Sequence, residues 1–210
     1  VLNGSIFNPA NATGTTYMLN FNLNETLADC DSTQSLMITV NTPPDAGLSG
    51  DPLVFCFEED ALVNLGDLLD SEDSGGTWTE ISLNPSDNGA FDPGLGTFQI
   101  NGQQTGNYSF QYLVQGAAPC GDDSAEVSIV IEELPIAAAG SDKMLNCDIT
   151  EIEIGTSNSS GEALSFNWTE SKGEILSTDG NEIITVDKPG NYILEVIDIN
   201  ECSDKDSMMV

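Results

Sequence analysis

Histidine and arginine are absent from this 210-residue chain, and only four lysines, Lys143, Lys172, Lys188 and Lys205, oppose 35 acidic residues. Without imidazole, Ser-His-Asp and Cys-His nucleophile systems are excluded, as are most catalytic metal sites. Without guanidinium there is no bidentate clamp for phosphate or carboxylate. The formal net charge of -31 repels nucleic acid, itself a polyanion, which removes that class of partner. Paired carboxylates of the glycosidase kind are the one catalytic option left. With so many acids some pair falls at a workable distance in any fold, so the pattern argues for no enzyme. No apolar run is long enough to span a bilayer, and no signal-peptide pattern opens the chain at Val1. The expectation is a mature or excised piece without membrane insertion. Cys-x-x-Cys spacing is also missing, which speaks against zinc.

What is present is a strand pattern. Apolar residues make up 39% of the chain and alternate in short runs rich in Val, Ile, Phe and Tyr, the signature of half-buried strands. Clusters of Gly, Asn, Asp and Ser separate the runs at the spacing of an antiparallel sandwich, and no long helical period appears. The acidity keeps such a surface soluble and suits a medium rich in salt or divalent cations.

The runs repeat. GTTYMLNFNLNETLADCDSTQSLMITV (14–40), TGNYSFQYLVQGAAPCGDDSAEVSIVI (105–131) and GNYILEVIDINECSDKDSMMV (190–210) each carry a Gly, an aromatic, a strand, a loop with one cysteine, an Asp-Ser pair and a second strand. The linkers NTPPDAGLSGDP and EELPIAAAGSDK each follow such a hairpin with Pro and then Ala-Gly. GSIFNP (4–9) matches GAFDPG (89–94). The predicted organisation is therefore all-β, tandem antiparallel β-sandwich domains arranged end to end. Residues 1–42 are the C-terminal half of a truncated repeat, 43–135 a complete repeat and 136–210 a repeat cut near its last strand. Strands are predicted at 53–57, 61–65, 77–83, 96–101, 107–114 and 125–132, then at 143–147, 151–155, 163–169, 174–177, 181–186, 190–198 and 206–210. LGDLLDSED supplies a helical turn.

Five cysteines take two kinds of position. Cys56 and Cys147 lie early in their repeats, while Cys30, Cys120 and Cys202 lie in the hairpin loops. The expected bonds are Cys56–Cys120 and Cys147–Cys202, with the partner of Cys30 outside the chain. Each closes a loop worth about 4 kcal/mol of denatured-state entropy. The alternative is free buried thiols. Disulfides imply an oxidising, extracellular location. One Trp, Trp78 or Trp168, stands between the two cysteines of each complete repeat. That order resembles immunoglobulin-like domains, where the Trp is core, and the competing reading is an exposed sugar-stacking platform.

Acidic turns offer oxygen ligands for calcium. The candidates are Asp67, Asp70, Glu72 and Asp73 in one loop and Asp198, Glu201, Asp204 and Asp206 in another. Neither matches an EF-hand, and solvated turns are the plainer reading, so the expectation is no cofactor, with Ca2+ as the alternative. DST (31–33), DSA (123–125) and DSM (206–208) resemble the O-glycosylation signal of exported Bacteroidota proteins, which points to Ser32, Ser124 and Ser207. The competing reading is a strand-start cap made by Asp and Ser.

Taken together, PPDAGLSG, GGTWTE, GTFQINGQQTGNYSFQYLV and AAAGSDKMLNCDITEIEIG, with DKPGNYILEVIDINECSDKDS, resemble the tandem extracellular repeats of very large Bacteroidota surface proteins. The last repeat is similar to PKD-like repeats of SprB-type gliding-motility adhesins exported by the type IX secretion system. The resemblance implies a non-catalytic stalk segment at the cell surface. Its partners would be neighbouring repeats of the same long chain, a surface polysaccharide or substratum, and export machinery. The alternative from another class is a carbohydrate-binding or spacer module of a secreted polysaccharide-degrading enzyme.

Overall fold

Most of the alternating runs become strands, and the described residues are all-β apart from two short 3-10 turns. The computed structural model describes residues 2–3, 6–11, 15–22, 33–176 and 180–210. By internal contacts it divides into two compact units, one of Val1–Leu48, Asp70–Thr77 and Tyr112–Ala125, the other of Ser49–Leu69, Trp78–Gln111 and Glu126–Val210. These units do not coincide with the blocks expected at 1–42, 43–135 and 136–210.

In the first unit, strands Thr16–Asn22 and Thr33–Thr39 form the predicted antiparallel hairpin, with Thr16 opposite Thr39 and Asn22 opposite Thr33. Phe7 packs edge-on to Tyr17, ring centroids 5.3 Å apart. Among the described residues the covering is thin, and Met18, Leu36 and Met37 are more than 60% exposed. Tyr112 and Val114 are buried in this unit. The Tyr112 hydroxyl donates to the Asp73 carbonyl at 2.8 Å and accepts from the Gly76 amide at 2.9 Å. That approach requires glycine, since a Cβ on Gly76 would lie 2.4 Å from the ring.

A four-stranded sheet, most of its residues in the second unit, runs in the order Leu53–Cys56, Asp123–Glu132, Gly106–Val114, Thr77–Glu80. Its first pair is parallel, Leu53 opposite Ile129 and Cys56 opposite Glu132. A three-stranded sheet of Phe91–Asp92, Thr97–Gln99 and Leu62–Asn64 accompanies it. Successive strand side chains point to opposite faces, so Tyr108 and Phe110 turn inward with Val127, Ile129 and Ile131. There Phe98 meets both Tyr108 and Phe110 at 5.0 Å. The predicted helical turn is the 3-10 segment Leu65–Leu68, begun by Asn64, whose side-chain oxygen accepts from the Gly66 amide.

The last block contains its own core of Ala139, Ile154, Ile184, Val186, Tyr192, Leu194, Val196 and Met208. Ser165–Ser171, Asn191–Ile197 and Ser203–Met209 form one antiparallel sheet, and Ile152–Ile154 pairs with Ile184–Val186. Two predicted strands are not formed among the described residues. Around 143–147 the backbone makes a single contact of this kind, the Lys143 amide donating to the Met209 carbonyl at 2.9 Å. At 174–176 only Ile175 bridges, to Val186. Both segments lie along an edge, where alternation in sequence does not guarantee a ladder.

Candidate functional site

The two Ala-Gly linkers carry the repeating chemistry. Ala46 and Ala139, the alanines of the two Ala-Gly linkers, have no exposure, so their amides need acceptors inside the protein. The Asp of the Asp-Ser pair supplies each one: Asp123 Oδ2 accepts from Ala46 N at 2.8 Å, and Asp206 Oδ2 from Ala139 N at 2.9 Å. Asp204 Oδ2 adds a bond from Ala137 N at 2.9 Å. A charged acceptor makes a stronger bond than a neutral one, and Ala lets the linker lie close against the last strand. Ser124 and Ser207, next to these aspartates, are exposed.

Each complete hairpin also opens with a tyrosine whose role the sequence reading missed. Tyr108 donates to the Gln104 carbonyl at 2.9 Å and Tyr192 to the Lys188 carbonyl at 2.7 Å, both four residues upstream. This is the corner that immunoglobulin-like sandwiches build at the start of a late strand. The available signal was the GNY shared by 106–108 and 190–192. Burial is the main cause that pushes both phenols above their ordinary pKa, and for Tyr192 the carboxylates of Asp187 and Glu170 push the same way.

The cysteines depart from expectation. Cys56 is bonded to Cys202, with Cα atoms 5.5 Å apart and 146 residues between them in sequence. Cys120 and Cys147 are thiols, half-buried and exposed respectively. Neither Cys56–Cys120 nor Cys147–Cys202 is formed. The two kinds of cysteine do pair, an early one with a loop one, but the loop belongs to the following block. The reason is placement: Cys56 ends the edge strand beside Glu132, at the exit of its block, where the next hairpin loop arrives. Asp198 shapes that loop, its carboxylate accepting from the Asn200 and Cys202 amides at 2.9 Å, and Glu201 takes a positive φ of 66°. Cys30 and Ser32 lie outside the described residues.

Most of the calcium candidates are engaged with the protein's own donors. Asp67 accepts from the Asn64 side chain at 3.0 Å, and Asp73 accepts from the Asp45 amide at 3.0 Å. Asp198 and Asp204 hold the amides described above, while Asp70 is exposed at the end of strand Leu69–Asp70. Among the described residues no three Asp, Glu, Cys or His side chains gather as a metal site.

Trp168 packs half-buried against the last block's core, and its indole N–H donates to the Glu182 carbonyl at 3.2 Å. Trp78 is half-buried over Gly96, where a Cβ would come within 2.7 Å of the indole. No helix among the described residues is long and apolar enough to cross a membrane.

No protein-family model matches the chain, and no curated protein matches it. Solved structures similar to it include the insect immune protein hemolin (10% identity, TM-score 0.36, covering 93% of this chain and 55% of that one). Extracellular domains 3–5 of Drosophila OTK align at 10% identity and TM-score 0.34, covering 84% of this chain and 63% of that one. Sidekick-1 immunoglobulin domains 1–5 align at 15% identity and TM-score 0.33, covering 97% and 46%. The chain spans less than two thirds of the length of each.

Proposed function

We propose that these residues form a non-catalytic structural segment of a repetitive cell-surface adhesin, an extracellular stalk of Ig-like repeats with blocks 1–42, 43–135 and 136–210. One observation supports this most: the same junction, a buried linker alanine held by the Asp of an Asp-Ser pair, occurs at Ala46 with Asp123 and again at Ala139 with Asp206. A chain that reuses one joint is built to be extended by copying. The disulfide fits export to an oxidising compartment. The resemblance to SprB-type gliding adhesins adds type IX export, cell adhesion and glycans on Ser32, Ser124 and Ser207 to this reading. The half-buried tryptophans weigh against the carbohydrate-binding alternative.

The test is to duplicate residues 43–135 in frame within the parent protein and image the purified product by electron microscopy. A rod longer by one repeat, with surface attachment retained, is the expected result. An unchanged outline, or loss of attachment with normal folding, would sink the stalk assignment.

A further inference from the structure

The Cys56–Cys202 bond joins the exit of one block to the hairpin loop of the next, and the two thiols among the described residues, Cys120 and Cys147, stand at the corresponding stations. Cys120 lies in the hairpin loop of the middle block, as Cys202 does in the last. Its Sγ–H points to the carbonyl of Asn41 at 3.7 Å. Asn41 follows the last strand of the first block, which closes with Val40 N donating to Thr15 O. The Asn41 side chain donates to the carbonyls of Ala117, at 3.3 Å, and Ala118, at 2.7 Å, in the Cys120 loop. The Cys120 loop is thus docked at the exit of the first block, just as the Cys202 loop reaches the exit of the middle block beside Glu132.

Cys147 holds the reciprocal station. It follows the segment whose Lys143 amide bonds the Met209 carbonyl, as Cys56 ends the segment that runs beside Ile129 to Glu132. Its thiol is exposed.

We propose that these repeats are joined by staggered disulfides, in which each repeat's early cysteine bonds to the hairpin-loop cysteine of the repeat after it. Cys147 then takes the loop cysteine of a following repeat, and Cys120 meets the early cysteine of a preceding one. Each link forms by exchange with an oxidised dithiol oxidoreductase. One cysteine thiolate attacks its disulfide and releases one enzyme thiolate, and the second cysteine displaces the other. Two electrons and two protons leave the cysteine pair, and the oxidoreductase is left as the dithiol. The result is a covalent line through successive repeats that does not depend on the peptide linkers alone.

The inference rests on the stalk reading, and one experiment separates the two. Native parent protein is denatured without reductant, alkylated with N-ethylmaleimide, digested unreduced and analysed by mass spectrometry. The expected result has three linked pairs. Cys56 is joined to Cys202, Cys147 to a cysteine shortly before an Asp-Ser pair outside these 210 residues, and Cys120 to a cysteine shortly after an Ala-Gly linker. Alkylated Cys147 or Cys120, or the within-repeat pairs Cys56–Cys120 and Cys147–Cys202, would overturn it. If linear peptides still show flanking repeats in that case, the stalk reading stands and only the stagger falls. If no flanking repeats exist, both fall.

Discussion

The first and last hairpins share one sequence plan and live in opposite surroundings. In the last, Tyr192, Leu194 and Val196 have no exposure and Met208 has 1%, whereas Met18, Leu36 and Met37 of the first are 63%, 61% and 64% exposed. Both have complete seven-residue ladders. Backbone pairing therefore follows from the hairpin's own alternation, while the core comes from what the rest of a repeat lays against it, here Ile154, Ile184 and Val186. A two-stranded ribbon has little stability alone. The hairpin is the recognisable part of the repeat but not the part that makes it stable.

The largest way to sharpen this contrast is to cut the last hairpin's tether. Cys202→Ser opens a loop of 146 residues, for which the chain-entropy model gives about 5 kcal/mol if both linked blocks unfold together. The expected outcome in a denaturant titration is a lower midpoint for these blocks, with their single transition resolving into two. A midpoint unchanged under non-reducing conditions would mean that the bond adds nothing to their coupling.

Next in size is the packing contrast itself. Leu194→Ala should cost about 2–5 kcal/mol, the range for emptying a fully buried leucine site. Leu36→Ala, at a largely exposed position of the first hairpin, should stay within about 0.5 kcal/mol. Equal losses measured by urea unfolding would show that the first hairpin is covered after all.

A smaller effect comes from the corner tyrosine. Tyr192→Phe removes a hydroxyl that donates to Lys188 O and accepts from Glu174 N, for about 1–2 kcal/mol. Because the folded phenol's pKa is raised, chiefly by burial, the native state resists its ionisation. The tyrosine's contribution is complete below the unfolded value of about 10 and is lost as pH rises through the folded one. The stability difference between wild type and Tyr192→Phe, followed from pH 8 to 11, should shrink towards alkaline pH. A constant difference would mean the hydroxyl is not held as described.

The hairpins and the Asp-Ser stations were legible because period-two alternation and turn residues are local signals. The two kinds of cysteine were legible as well. Which repeat's loop reaches Cys56 was not, because within-repeat and next-repeat pairing have the same order along the chain and differ only in where strand exits lie. The acidic loops left two readings open for a similar reason. Asp198 and Asp204 look the same in sequence whether they face a cation or a backbone amide, and here amides occupy them. Lys143 to Cys147 carried a strand pattern without gaining a ladder, since an edge segment needs a partner of matching length.

The smallest contrast lies at one matching station of the two hairpins. Asn20 stands opposite Ser35 in the first, and Glu195 opposite Lys205 in the last. The Glu195 carboxylate accepts from Lys205 Nζ at 3.0 Å and from the Asn167 amide at 3.2 Å. These bonds, Lys205 first, hold its pKa below the ordinary carboxylate value. A cross-strand pair this open to water is worth a few tenths of a kcal/mol, about 0.2–1 at most. Its sign is opposite to that of the chain as a whole. Acid relieves the repulsion within a net charge of -31, but the pair's contribution is present above the unfolded carboxylate pKa of about 4.3 and is lost as pH falls through the lower folded value. Glu195→Gln separates the two effects. The stability gap between wild type and variant should be steady at neutral pH and close between about pH 5 and 3, while both proteins share the global trend. The gap should also narrow with added salt, as screening weakens an exposed pair. A gap that widens in acid would mean that Glu195 is held by something other than Lys205.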